Sequence, residues 1–140
     1  MIKAEDLRIG DLVRYGQQVY TIQAVNANGA VCFAESDLLP VECSILDPIP
    51  ITTEILEKNG WKFKKISFEN YYYKVLSCIL DLFVESNERG VLSVGYFITI
   101  YDTYFKSSHV HMEYCTNNIN YIHELQHVLW AFGVDANFKI

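Results

Sequence analysis

The stretch Asp47-Pro48-Ile49-Pro50-Ile51-Thr52-Thr53-Glu54 divides the chain into two parts of different character. Its closely spaced prolines disfavour a helix or a central strand, because proline fixes φ and lacks a backbone N–H. Thr52 then offers a side-chain oxygen for a helix N-cap, and Glu54 lies where the helix dipole favours an acid. We therefore predict a boundary here, with a small all-β module over residues 1–48 and an α+β unit over residues 49–140.

The first part has the pattern of short strands joined by tight turns. Residues 18–25 alternate in the manner of a strand, and Asn28-Gly29 supplies the positive φ angles of a tight hairpin turn. Residues 30–34 fit the returning strand, and residues 39–45 fit a further short one. Several short strands in fewer than fifty residues indicate a small SH3-like β-barrel or a curled sheet.

The second part combines helices with longer strands. A helix is predicted near 53–59, ended by Gly60, and a second near 119–132, ended by Gly133. Helices at both ends of a strand meander indicate an α+β fold, in which two helices pack on an antiparallel sheet. The strand candidates between them are 61–66, 71–76, 79–85, 91–101 and 108–114.

Composition excludes some classes of function. The 140 residues are 51% hydrophobic, and the formal net charge is −6. That charge argues against broad binding to nucleic acid or to an anionic membrane, which both favour clustered Lys and Arg. No segment has the length and apolarity of a signal or a membrane span. Scattered cysteines without a C-x-x-C pair favour reduced thiols and a cytoplasmic location. They are Cys32, Cys43, Cys78 and Cys115.

The run His123-Glu124-Leu125-Gln126-His127 matches H-E-x-x-H, the zincin motif. On a helix, two imidazoles one turn apart can hold a zinc ion while the glutamate activates a water as general base. Average residue usage gives such a match by chance in roughly one chain of this length in a couple of hundred. A metal site is therefore an alternative to a merely structural helix.

The helical wheel separates the two histidines from the apolar side of the predicted helix. His123 and His127 lie about 40° apart, with Trp130 beside them, nearly opposite the apolar centre. We therefore expect a surface helix face that points toward solvent or toward whatever covers it. The apolar side consists of Tyr121, Ile122, Leu125, Val128, Leu129 and Phe132.

A catalytic zinc needs a third protein ligand, and the sequence does not place one plainly. Gly133 stands where a downstream third ligand would be, and Asp135 lies beyond the predicted helix end. Upstream, His109 and His111 share one face of a predicted strand and are possible third ligands. The leading interpretation is that the run holds no metal and that the protein has neither catalytic residues nor a cofactor. In the alternative, zinc is held by His123 and His127 with Glu124 as the base.

The segment Trp61-Lys62-Phe63-Lys64-Lys65 interleaves aromatic and basic residues. Such a strand could stack on single-stranded nucleic acid. One short run on an acidic chain makes a nucleic-acid-binding module a further alternative and not the main expectation.

Three stretches resemble an uncharacterised family of short proteins from gut anaerobic bacteria, their prophages and their mobile elements. They are residues 7–13 (LRIGDLV), residues 48–61 (PIPITTEILEKNGW), and the closing helix from YIHELQ at 121–126 to LWAF at 129–132. His123 and Gln126 match residues of the family's closing helix, whereas His127 stands where the family usually has asparagine. The resemblance implies an organisation and a biological setting, but no reaction.

From these observations we expect a non-enzymatic accessory or protein-interaction module of prophage or mobile-element origin. A protein partner is expected, nucleic acid and membrane are not, and the location is cytoplasmic. A minimal zinc hydrolase and a nucleic-acid-binding module remain the alternatives.

Overall fold

The computed structural model describes residues 2–34, 36–66, 69–75, 80–86, 92–102 and 107–140. Within these ranges the chain forms two five-stranded sheets and two α-helices, with every strand pairing antiparallel. The predicted α+β fold is therefore confirmed. The division into a module of 1–48 and a unit of 49–140 stays a prediction. Each sheet has its own core, but the helix Ile122–Ala131 contacts strands of both sheets.

The first sheet is curled and has the order β4-β3-β2-β1-β5. A 3-10 turn at Cys43–Ile45 precedes the last strand, which returns to pair with the first. The strands are β1 (Leu12–Tyr15), β2 (Gln18–Val25), β3 (Ala30–Phe33), β4 (Val41–Glu42) and β5 (Asp47–Pro48).

Two details of this sheet differ from the sequence prediction. Only Val41–Glu42 of the predicted strand 39–45 is extended. Pro48, predicted to lie at a boundary between the two parts, belongs to strand β5 and pairs with Val13. Proline is tolerated there because β5 is the edge of the sheet, where a missing N–H breaks no ladder.

The predicted hairpin between β2 and β3 is confirmed. Gly29 has φ of +77°, and the side-chain oxygen of Asn26 accepts hydrogen bonds from the backbone of Asn28 at 3.0 Å and of Ala30 at 2.9 Å. This turn sets the register that buries one face of each strand. The buried residues of the first core are Ile2, Leu7, Val13, Ile22, Val31, Phe33, Val41, Cys43 and Leu46.

The second sheet is a meander of order β10-β9-β8-β7-β6. The predicted strands are present, although β10 runs further than predicted. The strands are β6 (Lys62–Ile66), β7 (Glu69–Val75), β8 (Leu80–Ser86), β9 (Leu92–Asp102) and β10 (Ser107–Ile119). Their described buried residues form a second core with both helices and the C-terminal tail, consisting of Leu56, Trp61, Leu82, Val84, Val94, Ile119, Leu125, Leu129 and Ala136.

Helix α1 (Thr53–Lys58) begins as predicted, because the Thr52 hydroxyl accepts a hydrogen bond from the Ile55 N–H at 3.3 Å. Helix α2 (Ile122–Ala131) is shorter than the predicted 119–132, since Ile119 still belongs to β10. No helix in the described ranges is long and apolar enough to cross a bilayer.

The segment between the two sheets lies beside the start of α2. The Ile51 N–H donates to Asn120 at 2.9 Å, and the Ile122 N–H donates to Ile49 at 2.8 Å. Pro50 and Tyr121 form an antiparallel bridge between these bonds. The connection therefore holds α2 at the junction of the two sheets, where it contacts both β1 and β10.

Candidate functional site

The H-E-x-x-H run lies on α2, and Glu124 serves as the cap of that helix. One oxygen of its carboxylate, Oε2, accepts hydrogen bonds from the backbone N–H of Asn120 at 2.7 Å and of Tyr121 at 3.0 Å. These amides precede the first helical turn, where backbone donors lack partners within the helix. The residue that a zincin would use as general base is thus engaged in starting the helix.

Gln126 connects three separate segments. Its side chain is 1% exposed. The oxygen accepts from the Leu12 N–H at 2.9 Å, and the amide nitrogen donates to the carbonyls of Gly10 at 3.1 Å and Ala136 at 3.0 Å. A primary amide can do this because it carries both a donor and an acceptor. Gln126 therefore fastens the first sheet and the C-terminal tail to α2.

His127 pairs with a buried acid in the turn before β1. Its Nε2 lies 2.9 Å from Oδ1 and 3.0 Å from Oδ2 of Asp11, whose side chain is fully buried. Asp11 Oδ2 also accepts from the Arg8 N–H at 2.7 Å. Burial raises the pKa of Asp11, whereas the Arg8 hydrogen bond and the neighbouring His127 lower it. The two contacts offset much of the cost of burying a carboxylate.

His123 is enclosed beside this pair. Only 4% of it is exposed, and its ring lies parallel to that of Tyr121 at 5.9 Å between centroids. Burial lowers the pKa of His123, although Asp11 and Glu124 act in the opposite direction. Its Nδ1 is buried with no hydrogen-bond partner among the described residues. The structure therefore favours the neutral imidazole.

Trp130 completes the histidine face, which we define as His123, His127 and Trp130. The indole stacks on His127 at 5.7 Å and lies against Gly10, where an added Cβ would approach the ring at 3.1 Å. Gly10 has φ of +96°, and its N–H donates to the Ile22 carbonyl at 2.7 Å. The turn before β1 is thus held between β2 and the face of α2.

The sequence leaves open whether the histidine face points toward solvent or toward a segment that covers it. In the structure the turn of residues 8–12 covers this face, and His123 is buried. The missed residue is Asp11, which the sequence indicates only as part of a Gly10-Asp11 turn. No local pattern distinguishes a buried turn aspartate from an exposed one, so sequence reasoning had no signal for it.

The zinc alternative stays a prediction. The pairing of Asp11 with His127 has the form of the carboxylate–histidine contact that orients metal ligands. Within the described ranges, however, no group of three His, Cys, Asp or Glu side chains could hold a metal ion. His109 and His111 lie in β10, and their side chains fall outside the described residues.

The segment 61–65 is divided by burial. Trp61 is 3% exposed and belongs to the second core, so it is closed to stacking on a base. Lys62, Phe63 and Lys64 are exposed on β6, an edge of the second sheet. The side chain of Lys65 lies outside the described residues.

No family model, no curated protein and no solved structure matches the chain.

Proposed function

We propose that the protein is a non-enzymatic accessory module that binds another protein, with the H-E-x-x-H run serving as a structural joint. One observation carries this proposal: Glu124 caps α2 through its Oε2, while Gln126 and His127 form hydrogen bonds that join α2 to the first sheet and to the C-terminal tail. The Glu124 oxygen that accepts these two capping hydrogen bonds is already engaged by the backbone, which disfavours its use as a proton acceptor for water.

The exposed surface supports a role in binding. Large apolar side chains are exposed on the first sheet module, although its core is already well filled. Leu39 is 84% exposed, Ile45 55% and Leu38 42%, and they line one groove. Contiguous exposed apolar surface on a small protein is typical of an interaction site.

The proposal includes a setting. The resemblance of residues 7–13, 48–61 and 121–132 supports an origin in a prophage or a mobile element of gut anaerobic bacteria. The free thiols of Cys32 and Cys43 support a reducing compartment, and we therefore propose the cytoplasm.

Two measurements test the proposal. First, the chain is purified without an affinity tag, and its zinc content is measured together with that of Glu124→Gln, which keeps an oxygen for the helix cap but cannot act as a base. We expect less than stoichiometric zinc and no hydrolysis by either protein on peptide or ester substrates. Stoichiometric zinc with turnover that Glu124→Gln abolishes would establish the hydrolase instead.

Second, a phage-displayed library of random peptides is panned on the immobilised protein. We expect enriched peptides whose saturable binding is lost in Leu39→Asp and retained in Ile9→Asp. Ile9 is the matched control, since it is 68% exposed and does not line the groove. If no enriched peptide depends for its binding on an exposed residue of the chain, the protein-binding role is refuted.

A further inference from the structure

A groove of about 550 Å³ lies on the first sheet, between the segment that joins β3 to β4 and the end of β1. We call it the β4 groove and define it by Tyr15, Asp37, Leu38, Leu39, Glu42 and Ile45, which line it together with Pro40 and Val41.

Two apolar residues of the β4 groove, Leu39 and Ile45, contribute little to the folded core. Leu39 is 84% exposed and Ile45 is 55% exposed, whereas the neighbouring Val41 and Leu46 fill the core. Burying apolar side chains against a partner is favourable, and the side chains of Leu39 and Ile45 are exposed for such burial. The partner must therefore present apolar side chains.

One wall of the groove is held in place before anything binds. The Tyr15 ring lies 6.2 Å from that of Phe33 and 6.5 Å from that of Tyr20, and these two stack at 4.5 Å. Phe33 is buried in the first core. Because the ring is packed from behind, binding against it requires little loss of side-chain freedom.

The charge of the β4 groove has one sign. Asp37 and Glu42 are both exposed at the groove, and the described residues that line it include no base. The Glu42 carboxylate accepts a hydrogen bond from the Ser44 hydroxyl at 3.2 Å, which restricts its orientation. The whole chain carries a formal net charge of −6, which includes these two carboxylates. A basic partner is attracted and an acidic one repelled.

We propose that the β4 groove binds a peptide segment of another protein in which apolar side chains alternate with lysine or arginine. The apolar side chains contact Leu38, Leu39 and Ile45, and the cations lie near Asp37 and Glu42. This inference rests on the proposed function, because it names the chemistry of the partner for the same surface.

The test measures fluorescence anisotropy with three labelled peptides of equal length. One alternates leucine with lysine, one leucine with glutamate and one serine with lysine. We expect the leucine–lysine peptide to bind at least tenfold more tightly than the other two. Its affinity should fall as salt increases, since exposed charges are screened.

Matched variants separate groove binding from general attraction to an acidic chain. Leu39→Ala should weaken binding of the leucine–lysine peptide about tenfold, the scale of an interface anchor. Asp37→Asn combined with Glu42→Gln should weaken it and flatten its salt dependence. Ile9→Ala and Asp135→Asn, which alter exposed residues outside the groove, should bind like the unmodified chain. Because Leu39 is exposed, its variant should keep the unmodified urea midpoint.

Four results would overturn this inference. Equal binding of the leucine–lysine and leucine–glutamate peptides would show that charge does not determine affinity. An equal loss of affinity in Leu39→Ala and Ile9→Ala would show that the peptide does not bind in the β4 groove. A concentration-dependent dimer that Leu39→Ala abolishes would assign the groove to a second copy of this chain. If panning enriches peptides without basic residues that still need Leu39, the partner chemistry is wrong while the proposed function stands.

Discussion

His127 Nε2 lies 2.9 Å from Oδ1 of Asp11, although the two residues are 116 positions apart. The acid is fully buried in the turn before β1, and the imidazole projects from α2 of the second part of the chain. The pair therefore closes the junction between the first sheet and the helix. One histidine of the H-E-x-x-H run therefore forms a hydrogen bond to a buried carboxylate of the first sheet module.

This pair predicts a measurable coupling. His127→Ala leaves the buried carboxylate of Asp11 with the Arg8 N–H as its described partner, so we expect the free energy of unfolding to fall by about 2–4 kcal/mol. The measurement is urea denaturation at neutral pH. Because alanine also removes the stack on Trp130, a double-mutant cycle with Asp11→Ala is needed. We expect a coupling energy of about 1–3 kcal/mol, and a value near zero would show that the pair contributes nothing.

His123 predicts loss of stability in mild acid. Its ordinary pKa is near 6.5, and burial lowers that pKa in the folded protein. As the pH falls through about 6.5, the unfolded chain takes up a proton that the folded chain resists, and proton uptake favours unfolding. The contribution of His123 is complete above this pH and is lost progressively below it. We expect the free energy of unfolding to decrease from about pH 7.5 to about pH 5.5.

The control for this titration is His123→Phe, which keeps a ring beside Tyr121 but cannot be protonated. Asp11 acts in the opposite sense, because burial raises its pKa and the folded chain then binds that proton more readily. The decisive quantity is therefore the difference between the two pH profiles. A smaller slope in His123→Phe supports the assignment, and parallel profiles would exclude His123 as the source.

The parts of the fold that sequence predicts are those whose cause lies within a few residues. Asn28-Gly29 specifies its hairpin because Gly29 adopts a positive φ, and Thr52 starts α1 through its own hydroxyl. Most described strand bounds of the second sheet agree with the sequence prediction within about two residues, although β10 runs to Ile119. Features with a local cause need no knowledge of distant segments.

The candidate site depends on distant partners and was therefore predicted only in part. The helical wheel places His123 and His127 on the side of α2 away from Leu125 and Leu129. It does not show that the turn of residues 8–12 would cover that face, because the two segments meet only in the folded chain. Burial of His123 and of Asp11 is a tertiary property, and a polar residue in a turn carries no local sign of it.

Gln126 predicts an unusual response to an isosteric change. In Gln126→Glu the donor amide becomes a carboxylate oxygen that faces the carbonyls of Gly10 and Ala136. We expect the free energy of unfolding to fall by about 3 kcal/mol or more at neutral pH, because a buried charge then meets two acceptors. In acid the protonated carboxyl can donate again, so part of the loss should be recovered.

The matched control is Gln126→Leu, which has a similar volume and no titratable group. It leaves the same backbone groups of Leu12, Gly10 and Ala136 without their partner. The decrease in unfolding free energy that Gln126→Leu causes, measured relative to the unmodified chain, should therefore be as large in acid as at neutral pH. If both variants respond to pH alike, the amide is not acting as the donor.

Gly10 predicts a cost that combines backbone and packing. Its φ of +96° disfavours an L side chain, and an added Cβ would lie 3.1 Å from Cζ2 of Trp130. Gly16 offers a matched comparison, since its φ is +62° and a Cβ there meets nothing within 4 Å. We expect Gly16→Ala to cost about 1 kcal/mol of unfolding free energy and Gly10→Ala about 1–2 kcal/mol more.

The excess cost at Gly10 should depend on Trp130. In a Trp130→Leu background the contact is relieved, so the cost of Gly10→Ala should fall. It should stay above that of Gly16→Ala, because φ of +96° lies outside the left-handed well that contains φ of +62°. Urea denaturation of the four variants measures this directly. A cost of Gly10→Ala that Trp130→Leu does not reduce would locate all of the strain in the turn backbone, and the close packing of that turn against α2 would then contribute little to joining the two sheets.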